Sequence, residues 1–242
     1  MTPAVIAGVA AVLFLAAFGQ ALTGFGAALI SVPLLSLLIG PVAAVVTVTM
    51  LSVFLSAGMA IQLRRSIDVS ALRVVVPAGI LGMPLGLLAL RFVEPRWLSL
   101  GIGVVVLCFT LALIRGLTFS GRAATLTAGV ASGVLLTSTG MNGPPLVIAF
   151  AGNRLPPDRF RATLQVVFWL HDLVAIGGFA IAGVLTPIAG WSLLIGLLPA
   201  GLGWWAGSRL VRRVDAVLFR RLVYGLLVAT GLVSILTALL RG

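Results

Sequence analysis

Apolar residues run along this chain in blocks close to the roughly 20 that span a bilayer, separated by short strips containing arginine. Read as helices, the blocks predict eight crossings. The first runs from about Pro3 to Leu38, too long for one straight helix. The next three are about Pro41–Leu63, Leu72–Leu90 and Trp97–Ile114. The fifth, about Ala123–Ala151, is again overlong and is interrupted in its middle. Phe160–Ala182, Ile188–Leu210 and Val217–Leu240 complete the set. A transmembrane β-barrel would alternate apolar and polar residues, and Val104–Leu113 and Leu226–Leu240 do not. The expected fold is therefore an all-α integral membrane protein forming a single transmembrane domain.

Composition agrees. Of 242 residues, 61% are hydrophobic and 9% charged, too few polar groups to cover a soluble domain. The net charge of +11 would suit nucleic acid, but the arginines sit at joints between apolar blocks, where cytoplasmic loops collect cations. No nucleic-acid partner is expected. All sixteen basic residues are arginine. The joints after crossings three, five and seven hold ten of them; the others, with the C-terminal tail, hold six. That bias places both termini outside the cytoplasm, in a cell inner membrane. Met1–Phe18 lacks a basic leader and is read as part of the first span rather than a signal sequence. Cys108, the only cysteine, lies within an apolar block and is expected to pack as a buried thiol.

The two overlong segments echo each other. Thr23-Gly24-Phe25-Gly26 aligns with Thr139-Gly140-Met141-Asn142, Gly40-Pro41 with Pro156-Pro157, and Thr47 with Thr163, all at a shift of 116. Further on, at a shift of 121, Gly82 meets Gly203, Gly86 meets Gly207, Arg91 meets Arg212 and Glu94 meets Asp215. These landmarks predict two four-helix repeats, residues 1–116 and 117–242. The equivalent helices, crossings one and five, are an even number apart. The halves should then be parallel, related by an axis along the membrane normal. Gly82-xxx-Gly86 and Gly203-xxx-Gly207 are read as helix-packing positions.

Within each overlong segment lies a polar, glycine-rich break. The first is Gln20-Ala21-Leu22-Thr23-Gly24-Phe25-Gly26; the second is Thr137-Ser138-Thr139-Gly140-Met141-Asn142-Gly143-Pro144-Pro145. Interrupting a helix inside hydrocarbon leaves peptide groups unpaired, at several kcal/mol each unless protein, water or a ligand satisfies them. Such breaks must face a sheltered interior, and half-helix N-termini there favour an anion. A static kink satisfied by neighbouring helices is the bland alternative. The candidate substrate-binding residues are Gln20, Thr23, Gly24, Gly26, Thr139, Gly140, Asn142, Gly143 and Gln165. His171 and Asp172 are the only ionisable residues deep within a span. They are candidates for proton coupling, for a structural hydrogen bond or for direct solute contact. Arg161 supplies a cation near the cytoplasmic mouth or anchors to lipid phosphates. Trp97, Trp191, Trp204 and Trp205 read as interfacial or packing residues.

No nucleotide loop and no pair of metal-ligating histidines is present, so neither an enzyme nor a cofactor is expected. The paired landmarks resemble the TauE/SafE family of sulfite exporters and permeases. The likeness is carried by Gly19-Gln20-Ala21-Leu22-Thr23-Gly24-Phe25-Gly26 with Val32-Pro33-Leu34-Leu35, and by Gly140-Met141-Asn142-Gly143-Pro144-Pro145 with Phe160-Arg161-Ala162-Thr163. The resemblance implies a secondary transporter or exporter of small anions such as sulfite, thiosulfate or organosulfonates. It also puts Gly24, Gly26, Gly140, Asn142 and Gly143 near the transport path. The family's three-glycine run is replaced here by Gly26-Ala27-Ala28 and Gly143-Pro144-Pro145. Alternating access with proton coupling is the mechanism expected; an uncoupled anion channel and a non-transporting scaffold are the competing readings. Expected partners are a small anionic solute, membrane lipid and a further copy of the chain in a homo-oligomer.

Overall fold

The computed structural model describes residues 1–24, 27–210 and 216–240, with side chains for all of these except 23, 216–222 and 240. The described residues form ten α-helices, a short 3-10 turn at Arg64–Ser66 and no strand. The helices are α1 (Pro3–Thr23), α2 (Ala27–Ile39), α3 (Pro41–Gln62), α4 (Val69–Phe92) and α5 (Pro95–Ile114). In the second half they are α6 (Arg122–Thr139), α7 (Gly143–Gly152), α8 (Pro157–Ala182), α9 (Pro187–Leu210) and α10 (Ala216–Leu240). Six helical stretches among the described residues are long and apolar enough to cross a membrane: Pro3–Leu22, Pro41–Gln62, Val69–Phe92, Pro95–Ile114, Pro157–Ala182 and Pro187–Leu210. The outside is oily, with Leu81, Leu198 and Ile181 at 76%, 72% and 87% exposure. This is a multi-pass helical membrane protein.

Both overlong segments are interrupted where the sequence places the breaks. Gly24 and Gly140 take left-handed backbone (φ 80° and 72°) and end α1 and α6. Gly24 N–H bonds Gln20 O at 2.7 Å, while Gly140 N–H and Met141 N–H return to Leu136 O and Leu135 O at 2.9 and 3.3 Å. These are glycine C-caps that satisfy the last carbonyls of each helix. Pro144 and Pro145 fall in the first turn of α7, where amides have no helical partner to lose.

Beyond each cap the path of the chain overturns the expected topology. It does not continue across the bundle; it turns back. Gly19 on α1 faces Ile30 on α2, and Gly8 faces Leu38. Residues further back in α1 thus meet residues further along α2, the signature of an antiparallel pair. In the second half Ser132 Oγ donates to Asn142 O at 2.9 Å, and Asn153 Nδ2 donates to Thr125 Oγ1 at 2.9 Å. Phe119 N–H also reaches Ile148 O at 3.4 Å. Each overlong segment is a helical hairpin rather than one broken crossing.

The extra reversal changes how the halves relate. Asp68 N–H, just beyond α3, donates to Thr163 Oγ1 near the start of α8 at 2.9 Å, and Thr47 Oγ1 near the start of α3 donates to Ala189 O beyond the end of α8 at 3.3 Å. So α3 and α8 run antiparallel. The expected parallel arrangement needs these two helices to share a direction, and they do not. Nor does each overlong segment make the single crossing that a count of eight assigns to it, because each turns back on itself.

Packing interlocks the halves. α1 lies along α9 and α6 along α4, each pair running in the same direction. A Cβ on Gly203 or Gly207 would meet Phe14 O or Phe18 O at 2.2 and 2.7 Å. On Gly82 or Gly86 it would meet Val130 O or Val134 O at 2.2 and 2.1 Å. Both Gly-xxx-Gly pairs thus serve close backbone approach, as the sequence suggested. α5 and α10 pair antiparallel, with Gly103 against Ile235 and Leu107 against Gly231.

Cys108 departs from its expected burial. It is exposed on α5, on the face away from buried Ile102, Val106 and Thr110. An apolar helix in a membrane looks alike on its lipid and protein faces, so position within an apolar block does not settle burial. Trp97, Trp191 and Trp205 are at least half exposed, and Trp204 packs partly against the core.

Candidate functional site

The hairpins and the central helices α3 and α8 enclose a cavity of ≈ 40 Å³, room for a few waters. From the first hairpin come Gln20 and the opening turn of α2, Ala27–Leu29, with Ser31 one turn on. The second hairpin supplies Gly140 to Pro144. α3 adds Thr49, Ser52 and Leu55, and α8 adds Phe168 and Asp172. Most of the lining is apolar, with Gln20, Asn142, Ser52 and Asp172 among its few polar side chains, and a sheltered space of this kind is where lipid-embedded protein tolerates non-helical backbone.

Asp172, 1% exposed, is the cavity's one charged lining residue. Asn142 Nδ2 donates to its Oδ1 at 3.4 Å. Its Oδ2 is buried with no hydrogen bond among the described residues, and the Ser52 hydroxyl lies beside the same carboxyl. With its proton, Asp172 can donate to an anion; as a carboxylate it repels one. The first-turn amides of α2 have no acceptor within their own helix, so they are natural anion donors. α7 contributes less than expected here, since Pro144 and Pro145 remove two of its first-turn amides. This asymmetry was legible in the sequence, but only once the prolines could be placed at the start of a helix.

The remaining predicted residues divide by place. Gln20, Gly140, Asn142 and Gly143 line the cavity. Thr139 Oγ1 is turned back to Leu135 O of its own helix at 2.8 Å. Gln165 lies outside the lining and donates through Nε2 to Gly24 O at 2.8 Å, bracing the first hairpin tip against α8. Gly24 is thus part of that brace. The Thr23 side chain and Gly26 lie outside the described residues. His171, adjacent to Asp172, points elsewhere: its Nε2 sits 3.2 Å from Val76 O on α4, and a Cβ on Gly79 would stand 2.2 Å from its ring. The 100° step between neighbours on a helix separates their roles. Sequence reading missed Ser52, Phe168 and the α2 amides at 27–29, which carry no motif and are gathered only by packing.

Arg161, one turn into α8, packs on the first hairpin tip. Its Nη2 donates to Ala21 O at 3.5 Å, its Nε is buried without a hydrogen bond, and a Cβ on Gly24 would meet that Nε at 2.9 Å. A cation here faces the carbonyl end of α1, where the helix dipole favours it.

Two hairpins turning within a helical bundle, around a buried cavity that gathers a few polar groups, are an architecture that suits a membrane transport protein. The chain belongs to the family of the sulfite exporter TauE/SafE, whose pattern matches residues 9–234. That family is one of transporters, so the chain is not an enzyme. No curated protein and no solved structure gives a match.

Proposed function

We propose that the chain is a secondary transporter of small oxyanions, sulfite, thiosulfate or organosulfonates, which it carries by alternating access through the cavity between the hairpins. The observation that carries this reading is the meeting, in one buried cavity, of the opening turn of α2, Ala27–Leu29, with Asn142 and the unpartnered Oδ2 of Asp172. The binding set is Gln20, Gly140, Asn142 and Gly143 with the amides of that turn. Thr23 and Gly26 belong to the same break, while Thr139, Gln165 and Gly24 hold the hairpin tips in place. A cavity this small must enlarge to admit a sulfur oxyanion, which favours a carrier that opens and closes over an open channel.

Proton coupling rests on the same carboxyl. An anion beside Asp172 is repelled by the carboxylate and accepts a hydrogen bond from the acid. Anion binding and proton binding therefore favour each other, and by linkage the effect is reciprocal. His171, packed against α4, is a structural residue in this scheme.

The two halves, residues 1–116 and 117–242, form inverted repeats, each a hairpin followed by three crossing helices. Matched contacts support this at the level of single residues. Gly82 meets the Val130 carbonyl and Gly203 meets that of Phe14; the carbonyls are 116 positions apart and the glycines 121. Thr47 and Thr163, 116 apart, reach Ala189 and Asp68, 121 apart. Inverted repeats give alternating access a physical basis, because each half can adopt the other's conformation.

The arginines set the orientation. Among the residues whose side chains are described, Arg64, Arg65, Arg73, Arg115, Arg122, Arg154, Arg159, Arg161 and Arg209 gather at one end of the bundle, and Arg91 and Arg96 at the other. Nine against two favours a cytoplasmic first end, with both termini non-cytoplasmic in a cell inner membrane.

Purified protein in liposomes should move sulfite, thiosulfate or a small sulfonate down an imposed proton gradient. No flux from well-folded protein across such an anion panel would end this reading.

A further inference from the structure

Three unsatisfied polar atoms lie along one face of α8: Arg161 Nε, Gln165 Oε1 and Asp172 Oδ2, at spacings of four and seven residues. The line starts at the basic end of the bundle and stops in the cavity, about 16 Å further in at 1.5 Å per residue. The two outer residues both grip the first hairpin tip, Arg161 through Ala21 O and Gln165 through Gly24 O. At the second tip the positions 116 residues earlier on α3 are Val45 and Thr49. Val45 makes only apolar contact with Gly140, and Thr49 Oγ1 bonds Val45 O of its own helix at 2.9 Å. The first tip is pinned by two polar side chains of α8 near the basic end, whereas the equivalent α3 positions leave the second tip, among the described residues, with only Asp172 of α8, through Asn142.

We infer that Arg161 and Gln165 form a latch that holds the last turn of α1, residues 21–24, shut over the route from the basic end of the bundle to the cavity, and that an oxyanion releases it by taking the Arg161 guanidinium. The chemistry of exchange favours the anion. A neutral carbonyl at 3.5 Å uses one donor poorly, whereas an oxyanion accepts two guanidinium N–H groups side by side. Once the guanidinium turns to the anion, Ala21 O is freed and only the Gln165 bond holds the tip. The inference rests on the transport reading for its ligand class, but the latch can be measured without flux.

The test replaces Cys108 by Ser and Leu55, which lines the cavity, by Cys. Labelling by a membrane-impermeant maleimide is then followed in membrane vesicles of each orientation. Arg161→Ala and Gln165→Leu should each speed labelling from the face that carries Arg161 by about tenfold, as expected when a two-state gate loses one charge-assisted or buried hydrogen bond. Millimolar methanesulfonate, an oxyanion that does not consume the maleimide, should speed labelling of the parent from that face and leave Arg161→Ala unchanged. Labelling of both variants at the parent rate overturns the latch. A parent indifferent to both methanesulfonate and sulfate overturns the oxyanion trigger. Because labelling needs no transport, a failed flux assay beside a responsive latch would count against the proposed function alone. Monodisperse elution of each variant guards against misfolding.

Discussion

Asn142 and Asp172 meet at 3.4 Å across the cavity, the amide at the start of α7 and the carboxyl in the middle of α8. Thirty residues apart in sequence, they join the second hairpin to a central helix at the one place where both border open space. Asn142 can hold Asp172 and face a solute at once.

Replacing Asn142 by Ala should therefore weaken anion binding by about tenfold or more, the loss of one hydrogen bond to a charged ligand. Its backbone carbonyl, which accepts from Ser132, is retained, so the melting temperature should move little. Titrating sulfite against intrinsic tryptophan fluorescence, beside a thermal melt, separates the two effects. Unchanged affinity would remove Asn142 from the site.

Asp172→Asn keeps a neutral donor in place and removes the titrating group. Sulfite exchange should persist while accumulation driven by a proton gradient disappears. His171→Gln should do the reverse, retaining gradient-driven uptake and lowering stability. Uptake measured with and without the gradient distinguishes them. A gradient response that survives in Asp172→Asn would refute the coupling role.

The matched glycines make a stability prediction. Ala at Gly82 or Gly203 would place a methyl group 2.2 Å from a backbone carbonyl on the packed helix. Backbone cannot yield as a side chain can, so each should cost about 1–3 kcal/mol, the usual range for overpacking. Gly58 and Gly101 have nothing within 4 Å of an added Cβ, and Ala there should be neutral or better in a helix. Melting curves in detergent suffice, and equal melts for all four variants would disprove the contact.

Topology can be tested chemically. Arg96 and Arg154 lie at opposite ends of the bundle, whereas two straight-through overlong segments would put them on the same side. On a Cys108→Ser background, Arg96→Cys should label from outside intact cells and Arg154→Cys only after permeabilisation. Labelling of both from one side would restore the parallel arrangement.

Much of this was legible along the chain. The break positions were fixed by residue chemistry: Gly24 and Gly140 adopt backbone that other residues resist, and both end their helices. Gly82 and Gly203 announced close helix contacts by spacing alone. Asp172 stood out because a carboxyl is costly at that depth. What stayed hidden was direction. A glycine cap followed by a new helix reads the same whether the chain kinks onward or doubles back, and only Gly8 against Leu38 and Asn153 against Thr125 decide between them. Cys108 was misplaced because lipid and protein interior select the same apolar residues.

The sequence by itself determined that this protein lives in lipid, that two helices end early at matched places, and that one carboxyl lies deep in a span. Those are consequences of local rules: apolar length, glycine and proline backbone preference, and the cost of burying charge. Tertiary structure alone decided that each early end is a hairpin turn, that α3 and α8 run antiparallel, and that Asp172 rather than His171 faces the cavity. These depend on which distant surfaces meet, and packing between helices remote in sequence has no signature along the chain.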